Sequence, residues 1–118
     1  MRLVNGRTSS EGRLEVKYNG QWGTVCSERW SSKLFDDLDA GIVCRMLGFD
    51  SGTVQDSSLY GEGNGPIWLS HLECKGDELS IFDCPTDYRH PIGSADFYCE
   101  HTQDVGVKCQ GQFSFDFL

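Results

Sequence analysis

The chain of 118 residues has no run of apolar residues approaching the roughly eighteen that a membrane span requires, so no direct membrane insertion is expected. Its opening, Met1-Arg2-Leu3-Val4-Asn5, lacks the apolar core of a secretion signal. A secreted form is therefore expected to have lost its leader, with Met1 an added start. No two cysteines form a C-x-x-C pair, which argues against structural zinc and thioredoxin-like redox chemistry. Positive charge is scarce: 10 Lys and Arg stand against 18 Asp and Glu, a net charge of −8. Neutralising phosphates needs the opposite balance, so nucleic acid is not an expected partner. Basic proteins or cations fit better, while an acid surplus also serves solubility alone. Neither G-x-S-x-G nor H-E-x-x-H occurs, so no motif makes His71, His90 or His101 catalytic. No Asn-x-Ser/Thr sequon follows from Asn5, Asn19 or Asn64, and N-glycosylation is not expected.

What is present describes one ordered domain. Hydrophobic residues make up 38%, with seven Phe, four Tyr and three Trp, well outside the composition of disordered chains. Cys26, Cys44, Cys74, Cys84, Cys99 and Cys109 are an even, widely spread set, which reads as three disulfides and an oxidising, extracellular setting. The alternative is six reduced core cysteines in a cytosolic protein. Spacing leaves every pairing among the six open.

Residues 13 to 18 alternate polar and apolar, placing Leu14, Val16 and Tyr18 on one face of a strand. Asn19-Gly20 tolerates the positive φ of a type I′ turn, so Gln21 to Cys26 is expected to return antiparallel. Asp39 to Gly48 reads as one helix, capped by Asp39, ended by Gly48 and buried along Val43, Met46 and Leu47. A second turn or two of helix is expected over residues 76 to 83, stopped by Pro85. Further strands are expected at Arg2 to Val4, Ile67 to Leu69 and Val105 to Cys109, giving an α+β fold with a mainly antiparallel sheet. Residues 111–118, after the last cysteine, are an edge strand, a linker or an added remnant.

Several blocks in order carry a family likeness over residues 2 to 109. They are Arg2 to Gly6, Glu11 to Val16, Gly20 to Cys26, Asp39 to Phe49, Gly61 to Leu69 and Cys99 to Cys109. The chain resembles the scavenger receptor cysteine-rich (SRCR) domain, which would span residues 1–110. Ser10 and Phe49 stand where the eight-cysteine subgroup has its extra pair, so it is similar to the six-cysteine group A. The resemblance implies a small curved antiparallel β-sheet cradling one main α-helix. It also implies disulfides Cys26–Cys99, Cys44–Cys109 and Cys74–Cys84. It further implies an extracellular, non-catalytic ligand-binding or protein-interaction module of a receptor or secreted protein.

Several family members bind polyanions or microbial surfaces through bound divalent cations, and this chain departs from that pattern. The family's first cation site falls on Ser27, Glu28 and Gln103, retaining one carboxylate where hard cations need several. The second falls on Ser70, His71 and Tyr98. Calcium is therefore disfavoured and no cofactor is required. An apparent insertion between Trp30 and Asp39 brings Asp36 and Asp37 near Glu28. These three either rebuild a cation site or form a solvated acidic loop that favours the following helix. A protein ligand is the expected partner, met by segments 27 to 38 and 86 to 97. A cation-dependent scavenger or pattern-recognition domain for polyanionic or microbial ligands is the second reading, with a local basic patch around Arg29, Lys33 or Arg89 able to act without cations, and an accessory role in a mosaic enzyme such as a protease is the third. His101 is expected to be structural, the Gly61-x-Gly63-x-Gly65 run to serve turns, and the three Trp to pack.

Overall fold

Asn19 and Gly20 both adopt positive φ, 52° and 77°, and the chain folds back on itself there. Strand β2 (Glu11–Tyr18) thereby pairs antiparallel with β3 (Gln21–Val25), Tyr18 opposite Gln21. The computed structural model describes residues 1–27, 34–86, 92–93 and 99–111. Among them one helix, α1 (Asp37–Met46), accompanies β1 (Arg2–Val4), β4 (Ser51–Gln55), β5 (Ile67–Leu69) and β6 (Gly106–Gln110). The strands form one sheet in the order β4-β6-β2-β3-β5, with β1 also on β2.

The sheet is mainly antiparallel, as the sequence led one to expect, with β5 lying parallel to β3. Local patterning marks a strand but not its direction, and a parallel neighbour reached by a long connection leaves no signature in the sequence. Strand β4 was not foreseen. Ser51-Gly-Thr-Val-Gln shows little apolar alternation, and its five residues are held by continuous antiparallel pairing with β6.

The helix is capped three residues earlier than its sequence suggests. Asp36 is the N-cap, accepting from the Leu38 and Asp39 N–H groups, while the Asp39 carboxylate reaches back to the Asp36 N–H at 2.9 Å. This reciprocal box satisfies N–H groups that the first turn would leave unpaired, and it moves Asp39 from the cap into the helix. At the other end the N–H of Gly48 donates to Arg45 and that of Phe49 to Cys44, closing a Schellman-type terminus. The buried stripe also differs: Ala40, Ile42, Val43 and Cys44 face the core, and Met46 is exposed. Met46 sits at the rim of the helix, where its sulfur accepts the Ile81 N–H at 3.2 Å. The helix expected over 76 to 83 is a single 3-10 turn, Ile81–Asp83, because Ser80 is extended and caps only that turn.

Helix α1 lies against β4 and β6. Leu14, Val16, Val25, Ile42, Val43, Leu69, Ile81 and Val107 fill the space between the layers with almost no exposure. Each such side chain contributes about 2 kcal/mol by leaving water. Strand β2 is buried on its other face as well. There Arg13 and Glu15, 8% and 7% exposed, pair at 3.0 Å, and Arg2 reaches Glu15 at 2.7 Å. Arg13 also donates to the Tyr60 carbonyl at 3.1 Å, so the buried charges have partners on several sides.

Candidate binding surface

Three disulfides set the frame on which any binding surface is carried. Cys26 is joined to Cys99, Cys44 to Cys109 and Cys74 to Cys84. The second ties α1 to β6. The third closes a short loop whose exposed residues include Asp77, Leu79, Phe82 and Asp83.

Beside Cys99 a 3-10 turn, His101–Gln103, brings His101 over the sheet. Its Nε2 donates to the Gly65 carbonyl at 2.9 Å, and its Nδ1 lies 2.9 Å from Oδ2 of Asp104. Thr24 Oγ1 is 3.5 Å from the same Nδ1 but is fully buried, so it can meet no substrate. Asp104, also buried, accepts the Gly63 N–H at 2.7 Å. His101 and Asp104 therefore clamp the Gly61–Gly65 segment onto β3, and the imidazole has both nitrogens engaged. Gly63 is placed by close approach, since a Cβ there would collide with Thr24 and crowd Asp104.

An open cleft of about 330 Å³ adjoins this cluster, lined by Ser27, Asp56, Gln103 and Asp104 among others. Two of the three positions of the family's first cation site lie here, and their oxygens have protein donors. Ser27 Oγ accepts the Phe35 N–H at 3.1 Å, and Gln103 Oε1 accepts the Glu100 N–H at 3.1 Å. The third, Glu28, lies outside the described residues, as do Arg29, Lys33, Arg89, His90, Tyr98 and Trp30. Asp36 and Asp37 are described. Asp36 caps α1, and Asp37 Oδ1 accepts the Val54 N–H at 2.8 Å, fastening the helix to β4. At the second cation position Ser70 is buried, and His71 takes a positive φ of 51° with Nε2 3.7 Å from Glu73. Among the described residues no three His, Cys, Asp or Glu side chains cluster around a common point.

Trp22 and Trp68 have roles that the sequence only outlined. The Arg2 guanidinium covers the Trp22 ring at 4.0 Å, and Trp68 meets Tyr18 edge-on at 5.1 Å between centroids. A smaller cleft of about 210 Å³ lies between Arg7, Glu11, Leu59, Tyr60 and Lys108. Burial raises the Tyr60 hydroxyl above its usual pKa of 10.0, helped by the Glu11 carboxylate and opposed by Arg7. Sequence reasoning did not find Tyr60, whose only signal was its place before the glycine run.

Comparison with known proteins follows this geometry closely. Residues 4–110 match the family described as scavenger receptor cysteine-rich domain. The chain is 44% identical over 110 residues to galectin-3-binding protein of Rattus norvegicus, covering 92% of this chain and 17% of that protein. It is 44% identical over 113 residues to a scavenger receptor cysteine-rich domain superfamily protein of Patiria pectinifera, covering 95% of this chain and 9% of that one. The chain thus spans less than a fifth of the length of these relatives. Its structure superposes on the third SRCR domain of murine neurotrypsin with a TM-score of 0.77 at 37% identity, covering 92% of both chains. The SRCR domain of mouse MARCO, solved in a dimeric form, gives 0.70 at 39% identity, covering 93% of this chain and 94% of that one.

Proposed function

The chain belongs to the scavenger receptor cysteine-rich family, and from that membership we propose that it acts outside the cell as a non-catalytic binding domain whose partner is a protein. One observation carries this reading. Among the described residues, polar groups that a catalyst or a cation site would draw on are engaged within a frame closed by three disulfides. His101 bridges Gly65 and Asp104, Ser27 and Gln103 hold backbone N–H groups, and Asp36 and Asp37 secure the helix. A frame stapled in this way supports connections that vary freely, and such connections carry recognition. Disulfides of this density belong to an oxidising, extracellular setting.

Calcium has no part in this reading. A hard cation draws several carboxylate or carbonyl oxygens, whereas neutral Ser27 and Gln103 occupy two of three family positions. A net charge of −8 opposes direct binding of a polyanion. Relatives named for binding galectin-3 are named for a protein ligand, which supports the same class of partner here. Segments 27 to 38 and 86 to 97, least constrained by the family blocks, are the contact regions of this reading.

Cation-dependent polyanion capture is the second reading, favoured by the Asp56 and Asp104 carboxylates at the cleft beside Gln103. An accessory role within a larger mosaic protein fits the small share of each relative that the chain spans. Binding to heparin and dextran sulfate, with calcium and with EDTA, separates the readings. Weak binding in both is expected. Tight binding only with calcium favours the second reading, and tight, salt-sensitive binding in EDTA replaces the protein partner with a basic patch at Arg29, Lys33 and Arg89.

A further inference from the structure

The loop closed by Cys74 and Cys84 is ordered from several directions. The Glu78 carboxylate accepts the Lys75 N–H at 3.0 Å and the Gly76 N–H at 2.9 Å. Arg45 of α1 donates to the Gly76 carbonyl at 2.6 Å. Ile81 is fully buried and its N–H meets the Met46 sulfur, while Ser80 accepts the Phe82 N–H at 3.2 Å. At the centre of this scaffold Leu79 stands 90% exposed, the most exposed large apolar side chain among the described residues. Phe82 on the same loop and Met46 on the adjoining helix add exposed apolar surface. Asp77 and Asp83, both exposed, flank Leu79 and Phe82 in sequence, against one basic residue in the loop, Lys75.

An apolar side chain displayed by an ordered backbone spares the cost of ordering that backbone on docking, which suits an interface anchor. The acidic flank states which surface fits. A second copy meeting loop to loop would set Asp77 and Asp83 against the same residues, any other face of it belongs to a chain of net charge −8, and an anionic membrane repels them as well, whereas a basic rim is complementary.

We propose that the Cys74–Cys84 loop is a protein-docking surface for a partner with an apolar pocket that takes Leu79 and a Lys/Arg rim that faces Asp77 and Asp83. This rests on the protein-partner reading and adds a second contact region to it.

The test presents the 118-residue chain, multimerised as a probe, to a panel of purified cell-surface and secreted ectodomains. Bound ectodomains are then titrated with the Leu79→Ala, Asp77→Lys/Asp83→Lys and Leu59→Ala variants. The expected result is an ectodomain with a basic surface whose affinity falls at least about tenfold with each of the first two variants and with rising salt. Leu59→Ala, an exposed apolar position in the smaller cleft, leaves it unchanged. Leu79→Ala melts as the parent does, because so exposed a side chain supports little of the fold. Binding insensitive to Leu79 and to Asp77/Asp83 overturns this proposal and leaves the protein-partner reading standing. No ectodomain bound, with tight heparin binding in EDTA, overturns both, and no binding to either overturns this proposal. Sedimentation showing Leu79-dependent self-association gives the surface to a second copy and also overturns it.

Discussion

Gly52 of β4 lies directly over the Sγ of Cys44, so the disulfide to Cys109 fills the space that any side chain at position 52 would need. The contact fixes how closely α1 approaches the sheet. Gly52→Ala is expected to destabilise the domain by about 1–3 kcal/mol through overpacking, read from urea denaturation. An unchanged midpoint would show that helix and sheet can separate without penalty.

Non-reducing peptide mapping should recover Cys26–Cys99, Cys44–Cys109 and Cys74–Cys84 as the linked pairs. Replacing Cys74 and Cys84 together by Ser should cost about 3 kcal/mol, the loop-closure value for so short a loop. A Cys26–Cys44 peptide as the main species would contradict the fold described above.

Asp104 is the shared acceptor for Gly63 and His101. Asp104→Ala should cost about 3 kcal/mol, because it strands a buried N–H and the imidazole together. Asp104→Asn retains one acceptor oxygen and should cost less. Equal losses in denaturant midpoint would deny the carboxylate its bridging role.

Asp36→Ala removes the N-cap and should cost about 1 kcal/mol. The loss should be the same in millimolar calcium and in EDTA, by thermal melting in each. A calcium-dependent difference would mean that the inserted segment holds a cation after all.

Glu78 titrates below its ordinary value of 4.5, chiefly because its carboxylate accepts the Lys75 N–H, with Gly76 adding to this. A depressed acid favours the folded state once ionised, so its contribution is complete above 4.5 and is lost as pH falls through the lower folded value. Protection of the Lys75 and Gly76 amides, measured relative to their intrinsic exchange rates at each pH, should therefore fall on acidification below that range. Protection that stays constant across it would remove Glu78 as the ordering group.

Much of the fold was legible because the signals were local. Asn19-Gly20 set a turn, alternation at Leu14 and Val16 set a buried face, and Asp36 with Asp39 contained a capping box three residues apart. The last was misread only because Asp39 alone also satisfies the rule for a cap. Strand β4, the parallel seat of β5 and the buried Arg13–Glu15 pair were not legible, since each depends on partners far along the chain. The disulfide pairing came from the family resemblance, as spacing leaves it open. At the binding surface, sequence singled out charged residues in the inserted segment, and the two that are described, Asp36 and Asp37, serve the helix. Leu79 gave no signal, because an exposed leucine is recognisable only once the core is known.

The first and last strands share β2, with β1 opposite residues 13–15 and β6 opposite residues 11–13. Both run antiparallel to it, so a pull applied across the two ends would drag them in opposite directions along one strand and load their hydrogen bonds in shear rather than peel them singly. Covalent linkage then sets the limit of stretching. Between Cys26 and Cys109 the shorter covalent route runs through the Cys99 sulfur and the longer through Cys44, so at full extension the first is taut while the segment between Cys44 and Cys99 stays slack. A domain strung this way between its two ends is stretched at its edges while the Cys74–Cys84 loop keeps its shape.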